Sequence, residues 1–356
     1  SFVLYKLAQK KSALLLVTLV ILQVALGILT VGSELGVWET TLHLGFAALL
    51  LESTYFIFLL QSVDSKSDEM ILFLKDTLSL TKPRLSSLVL FTCGLGMLMA
   101  PGTITPFQAV MTIFSTMMIV AGACTLNCYL ERDVDLLMRR TAQRPLPTRR
   151  LSPRYALILG ILLLVIFTPL IALFSNYLTA LLGLIASVVY VLLYTPLKRK
   201  TTLSLFVGAI PGAIPPLMGW TAVTNSIDPM GMVLFGILFF WQLPHFLAIS
   251  VYSLDEYKAA GLKVLPAVTS LFHTQCKIAF YIFFLLIVSL LPMYLYKISW
   301  IYFIGALVLG MGFLLYSLWG FRFNEEPVVR LWAKKLFWSS LIYLPSVLGL
   351  MLIYKG

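Results

Sequence analysis

Stretches of about twenty apolar residues recur along this chain, and each is long enough to cross the hydrocarbon core of a bilayer as a helix. Eleven can be drawn, at 13–31, 38–60, 85–100, 106–129, 154–174, 176–195, 203–222, 230–252, 275–296, 300–319 and 333–353. Composition points the same way. Of 356 residues 60% are hydrophobic and only 12% charged, which excludes an ordinary water-soluble domain. The expectation is an all-α, polytopic membrane protein surrounded by lipid. Lys6, Lys10 and Lys11 precede the first stretch as the charged region of a secretory leader would. Its apolar run is longer than a leader's and has no small-residue cleavage site, so it reads as a span.

A net charge of +11 raises the question of nucleic acid or another anionic partner, and the placement of the basic residues answers it. Of the 26 Lys and Arg, 24 fall into six segments between the helices: Lys6 to Lys11, Lys66 to Arg84, Arg132 to Arg154, Lys198 to Lys200, Lys258 to Lys277, and Arg322 to Lys335. If every helix crosses once, all six lie on one side and only Lys297 and Lys355 on the other. The positive-inside rule then makes the basic side cytoplasmic, with the N-terminus inside and the C-terminus outside, in a bacterial inner membrane. Topology accounts for the charge, and no nucleic-acid partner is expected.

Two blocks are visible: a helix pair over 1–61 and, beyond a polar cytoplasmic linker over 62–84, nine helices over 85–356. The cytoplasmic loops are long and polar and the outer ones short, which puts the expected function on the cytoplasmic side. Cys93, Cys124, Cys128 and Cys276 form no spaced framework, and no disulfide is implied. Cys124 and Cys128 share a helix face, either as small apolar packing or as a metal pair.

The stretch Asn127 to Asp135 puts carboxylates where a membrane helix meets water. Continued as a helix, it lines Asn127, Glu131 and Asp135 along one face. Like charges at four-residue spacing repel, and the negative end of the helix dipole lies there too, so a cation is expected. Two readings are open: a solvated helix end neutralised by Arg132, Arg139 and Arg140, or Mg²⁺, which takes carboxylate and amide oxygens. Asp255-Glu256-Tyr257 follows a later helix and emerges on the same face. Carboxylates holding a metal, with Lys82, Arg84, Arg139, Arg140, Arg144, Lys198, Arg199 and Lys200 nearby, would attract a diphosphate, and apolar walls below would take an isoprenyl tail.

The segment 208–220 holds three prolines and three glycines, which argues against a regular helix; it is either packing or the wall of a pocket. Of the three histidines, His245 lies in Trp241-Gln242-Leu243-Pro244-His245-Phe246, ten residues before Asp255 and so roughly 15 Å deeper. It is either a satisfied structural histidine or a contact for haem.

At these residues the chain resembles a known family, the protohaem farnesyltransferases or haem O synthases of the intramembrane aromatic prenyltransferase superfamily. The likeness runs over about residues 75–356. It is carried by Thr81-Lys82-Pro83-Arg84, Asn127 through Arg144-Pro145, Tyr194 through Arg199, the Pro/Gly segment, Trp241 through Phe246, and Tyr257 to Gly261 with Leu265-Pro266. The resemblance implies nine helices around a central cavity, Mg²⁺ or Mn²⁺ as cofactor, farnesyl diphosphate as donor and haem b as the other substrate. It also implies the product, a hydroxyethylfarnesyl haem, and the roles. Asn127, Glu131, Asp135 and Asp255 would be catalytic and, with Glu256, would hold metal. Lys82, Arg84, Arg132, Arg144, Lys198 and Arg199 would bind diphosphate, and His245, Trp241 and Tyr257 would seat the porphyrin. The chain departs from the family in having Glu131 where aspartate is common, and Glu256-Tyr257 where Asp-Tyr often stands.

Residues 1–61 resemble the last two helices of haem A synthase, through Leu22-Gln23, Gly27 to Val31, Leu42-His43-Leu44 and Ala47-Ala48. His43 stands where that family has a haem ligand, and its opposing ligand would lie on an earlier helix. Because the sequence opens on Ser1, it is expected to be the tail of a fusion of the two consecutive enzymes. Three other readings stay open at this point: prenylation of a quinone precursor, transport of an anionic amphiphile, and a haem-binding redox subunit. The inverted repeats common in transporters are not visible.

Overall fold

The structure, a computed structural model, describes residues 67–296 and 298–354. The expected spans at 13–31 and 38–60, with His43, lie outside the described residues. The chain divides into two compact units between Ser79 and Leu80. The described part of the first, residues 67–79, belongs to a single helix, α1 (Ser67–Leu80).

Beyond it the elements are α2 (Pro83–Met99), α3 (Pro106–Asp135), α4 (Pro153–Phe174), α5 (Tyr177–Leu197), α6 (Ser204–Thr224), α7 (Pro229–Tyr252), the short α8 (Leu254–Ala259) and α9 (Leu265–Val268), α10 (Leu271–Tyr296), α11 (Trp300–Trp319) and α12 (Glu326–Ile353). No strand occurs among the described residues. Eight of these helices are long and apolar enough to cross a membrane, and α2 contains a shorter apolar helix over Leu85–Met99. The chain is a multi-pass membrane protein. Several helices outrun the apolar stretches that announce them: α3 continues to Asp135, and α12 begins at Glu326. Hydropathy marks the lipid, whereas backbone hydrogen bonding carries the helix past it.

Helix starts follow from X-Pro pairs. Thr105-Pro106, Ser152-Pro153 and Asp228-Pro229 each place an extended residue before a proline at the first helical position. Thr105 forms a reciprocal capping box with Gln108, and the Ser152 hydroxyl accepts from the Tyr155 N–H.

In the second unit α6 and α7 are central, with α2 and α5 against α6, and α10 and α12 against α7. By contrast α4 fully buries only Ala156, Gly160 and Ile171 and leaves Ile158, Ile161, Leu162, Val165, Ile166 and Leu173 exposed, as a lipid-facing helix does. A side chain on Gly96 would run into the Pro216 carbonyl, and one on Gly219 into the Cys93 carbonyl, so α2 and α6 meet backbone to backbone. Hydrogen bonds cross between elements: Asn176 Nδ2, at the start of α5, donates to the Thr221 carbonyl of α6 at 2.7 Å, and the buried Tyr302 Oη to the Ser289 carbonyl at 2.6 Å. Such bonds contribute roughly 0.6 kcal/mol each in a membrane, so close packing carries more of the stability.

The Pro/Gly segment departs from expectation. Helix α6 runs without interruption from Ser204 to Thr224 with Pro211, Pro215 and Pro216 inside it. The prolines free the carbonyls of Val207, Pro211 and Gly212, and Pro211 and Gly212 border a cavity, where backbone without an intrahelical partner is tolerated. The α2–α6 contact gives a prediction. Gly219→Leu should sharply reduce the monodisperse fraction recovered from detergent by size-exclusion chromatography. Gly312→Ala, where a new Cβ meets nothing within 4 Å, should leave that fraction unchanged or raise stability by up to about 1 kcal/mol.

Candidate active site

At 1.5 Å per residue the 30 residues of α3 span about 45 Å, against roughly 30 Å of hydrocarbon, so its last turns reach the interface. There Asn127, Glu131 and Asp135 share one face and are all buried, at 1%, 7% and 4% exposure. Buried carboxylates without partners would cost several kcal/mol each. Three cations meet this face, one to each residue. Lys82 Nζ donates to Asn127 Oδ1 at 2.6 Å, Lys198 Nζ to Glu131 Oε1 at 3.2 Å, and Arg144 Nη1 to Asp135 Oδ2 at 2.8 Å.

Each cation comes from a different place in the chain. Lys82 sits in the turn before α2 with a left-handed φ of 50°, a strained conformation for a lysine. Its carbonyl accepts from the Leu85 and Ser86 N–H groups, which starts α2 and fixes the side chain's origin. Lys198 follows the end of α5. Arg144 lies in the turn-rich loop after α3, which folds back so that Thr141 Oγ1 donates to the Asp135 carbonyl at 2.9 Å. Burial alone would lower the Lys82 and Lys198 ammoniums, yet the groups around them outweigh it: Tyr190, Cys128, Cys124 and Glu131 for Lys82, and Tyr194, Glu131 and Tyr257 for Lys198. Both stay above their ordinary values. Burial likewise raises the Tyr257 phenol, against the pull of Lys198 and Arg140.

Below this layer lies a cavity of about 320 Å³. Its mouth carries two carboxylates, Glu131 and Asp135, and four cations, Lys82, Arg140, Arg144 and Lys198. Its body is mostly apolar, walled by Val89 and Ile119 and by Gly208, Pro211, Gly212 and Pro215 of α6. The Pro/Gly segment is therefore a cavity wall. A π-helical turn at Val189–Tyr194 in α5 brings both Tyr190 and Tyr194 to the cavity, their rings stacked at 5.6 Å. Tyr190 Oη donates to Asn127 Oδ1 at 3.3 Å, and Asn127 Nδ2 donates to Thr195 Oγ1 at 3.0 Å, so α5 orients the amide.

Of the residues expected from sequence, the structure assembles Lys82, Asn127, Glu131, Asp135, Arg144, Lys198 and Tyr257 around this cavity. Others lie elsewhere. Arg132 donates to the Tyr129 carbonyl at 2.7 Å and Arg199 to the Leu130 carbonyl at 3.1 Å. The Arg84 side chain lies outside the described residues. Asp255 and Glu256, expected to close on the first acidic group, do not line the cavity. Asp255 is exposed on α8 and held by a bidentate pair from Arg330 of α12, at 2.5 and 2.7 Å, which lowers its carboxyl below the ordinary range. Among the described residues no three carboxylate, imidazole or thiol groups come together as a metal-binding cluster.

His245 and Trp241, expected to touch the porphyrin, face α12 instead. The His245 ring stacks on Trp241 at 4.6 Å and packs on Phe337 at 4.7 Å, with Nδ1 2.7 Å from Ser340 Oγ. Trp241 Nε1 donates to the Ser340 carbonyl at 2.7 Å. The Ser340 hydroxyl itself donates to the Phe337 carbonyl, so it is the acceptor for His245 Nδ1–H. Gln242, Phe246 and Ile249, on another side of α7, are the residues that reach the cavity. In sequence Gln242, Phe246 and Tyr194 stand in motifs without a role of their own, Arg140 reads as one of several basic residues beside the acidic group, and Tyr190 is not singled out at all. Arg140 is one of five arginines in its loop, and nothing local marks the π-helical turn.

Fold and site together define a multi-pass membrane protein with an apolar cavity under a layer of paired carboxylates and cations, which is the design of an intramembrane prenyltransferase. The UbiA prenyltransferase family matches residues 89–341, and the chain belongs to this family. It is 46% identical over 272 residues to a protoheme IX farnesyltransferase of Myxococcus xanthus (strain DK1622), covering 76% of this chain and 92% of that one. To a protoheme IX farnesyltransferase of Legionella pneumophila (strain Corby) it is 37% identical over 283 residues, covering 78% and 94%. Among solved structures it shares the fold of a digeranylgeranylglyceryl phosphate synthase, with a TM-score of 0.67 at 19% identity over 79% of this chain and 98% of that one. It also resembles a UbiA homologue from Archaeoglobus fulgidus bound to GPP and Mg²⁺, with a TM-score of 0.52 at 18% identity over 78% and 99%.

The ion-pair layer gives a second prediction. Lys198→Met should lower stability by up to about 3 kcal/mol in equilibrium unfolding in detergent, because it leaves Glu131 buried without its partner. Adding Glu131→Gln should recover about 1–2 kcal/mol of that loss. Strict additivity of the two changes would show that the pair does not interact.

Proposed function

We propose that this chain transfers the farnesyl group of farnesyl diphosphate to a vinyl group of protohaem, with addition of water. The product is haem O, for haem A and cytochrome oxidase assembly. The site faces the cytoplasm in a bacterial inner membrane, with the N-terminus inside and the C-terminus outside. The observation that carries the reading is a cavity that is cationic and carboxylate-bearing at its mouth and apolar in its body, in a chain 46% identical to a protoheme IX farnesyltransferase.

The oxygens of Asn127, Glu131 and Asp135 suit a hard divalent cation, Mg²⁺ or Mn²⁺, whose remaining positions go to water and substrate phosphate. When bound, such an ion offsets the charge that builds on the leaving diphosphate. The chain's own cations supply the rest of that stabilisation. Lys82, Arg140, Arg144 and Lys198 ring the mouth, and Lys198 and Arg144, now on carboxylates, are positioned to pass their hydrogen bonds to phosphate oxygens. In the reaction the farnesyl C1–O bond breaks and the diphosphate leaves with the electron pair. The terminal vinyl carbon bonds to C1, and water adds to the neighbouring carbon and gives up a proton. The apolar walls keep water from the allylic cation before the vinyl group reaches it. Asp255 and Glu256 are outside this set because Asp255 is committed to Arg330. Trp241 and His245 act as a brace between α7 and α12.

The test is detergent-purified protein with haem and farnesyl diphosphate, with and without Mg²⁺, analysed by chromatography and mass spectrometry. The expected product is haem carrying farnesyl plus water, formed only with metal, and Glu131→Gln should lower the rate by about 10²–10³. Turnover of a quinone precursor with no modified haem would mean that the acceptor is wrong.

A further inference from the structure

Beside the main cavity lies a smaller cleft of about 80 Å³ that the reaction above leaves unused. The two share a wall made by Tyr194, Lys198, Phe246 and Tyr257. Beyond that wall the cleft presents Thr202, Ser204 and Lys263 over an apolar floor of Leu205, Val264 and Leu265, and no carboxylate lines it. The two lysines differ. Lys198 is engaged with Glu131 at 3.2 Å, whereas the exposed Lys263 makes no ion pair among the described residues. Their backbones are joined, the Lys263 N–H donating to the Lys198 carbonyl at 3.3 Å, which ties the loop between α8 and α9 to the end of α5.

An apolar cleft with hydroxyls and an unmatched ammonium on its rim suits a carboxylate carried on an apolar body. Farnesyl diphosphate has no such group. Protohaem has two, both on one edge of the macrocycle, while its vinyl groups lie on other edges. We propose that this cleft receives the propionate edge of the porphyrin, with Lys263 as its cationic partner. The vinyl edge then reaches past Tyr257 and Phe246 into the main cavity. The arrangement leaves the carboxylates at the basic, watery rim and the macrocycle against apolar walls, where each costs least. It rests on the reading of protohaem as the acceptor, and it adds the element that orients the acceptor.

The experiment compares protohaem with its dimethyl ester, in which both propionates are masked, in the wild-type protein, in Lys263→Gln and in Lys263→Arg. In the wild type kcat/KM should favour protohaem over the ester. In Lys263→Gln that preference should shrink roughly tenfold, the worth of one charge-assisted hydrogen bond, and Lys263→Arg should restore most of it. A preference that is the same in wild type and Lys263→Gln would overturn the propionate assignment while leaving the farnesyl transfer standing. If the wild type converts neither porphyrin although it binds farnesyl diphosphate, both readings fall together.

Discussion

Three polar residues buried on one face of a membrane helix cannot stand without compensation, and the arrangement around Asn127, Glu131 and Asp135 answers that demand. Each meets one cation, and the three cations come from the turn before α2, the end of α5 and the loop after α3. Segments distant in sequence are thereby drawn to a single point on α3. A mutual pairing of this kind is weak evidence for stability, since a well-packed apolar core would serve as well or better. On the proposed function its value lies in what it keeps ready: carboxylate oxygens for a hard cation, and ammonium and guanidinium groups for phosphate, held at the top of an apolar cavity.

The rest of the bundle serves the cavity beneath. Helices α2 and α6 approach through Gly96 and Gly219, which leaves Gly208, Pro211, Gly212 and Pro215 to form one wall. The π-helical turn of α5 supplies the facing pair of tyrosines and orients Asn127 through Tyr190 and Thr195. On the opposite flank α12 ties down α7 through His245, Trp241 and Ser340, and α8 through Arg330 and Asp255. Asp255 thus belongs to the scaffold that holds α8, the short helix that carries Tyr257 to the cavity.

Much of this was legible in the sequence, for physical reasons that differ from residue to residue. The spans were readable because hydrophobicity is a local property, and the shared face of Asn127, Glu131 and Asp135 because helical periodicity is too. What lay beyond local rules was partnership. Asp255 looks like a metal ligand until Arg330, 75 positions away, takes it, and His245 looks like a haem contact until Ser340, 95 positions away, accepts its hydrogen bond. The continuity of α6 could not be read either, because three prolines break a helix in water but not in one enclosed by protein. Sequence places Arg139, Arg140 and Arg144 alike beside the acidic group, and only the folded loop brings Arg140 and Arg144, not Arg139, to the cavity.

The central claim is that the paired layer on α3 is a diphosphate and metal site held in its resting arrangement. A structure of the protein with Mg²⁺ and an unreactive thiolo analogue of farnesyl diphosphate tests this most directly. The account predicts density for diphosphate and metal beside Glu131 and Asp135, with Lys198 and Arg144 moved from the carboxylates onto phosphate oxygens. Diphosphate bound instead beside Asp255, with the Lys198–Glu131 and Arg144–Asp135 pairs intact, would contradict it.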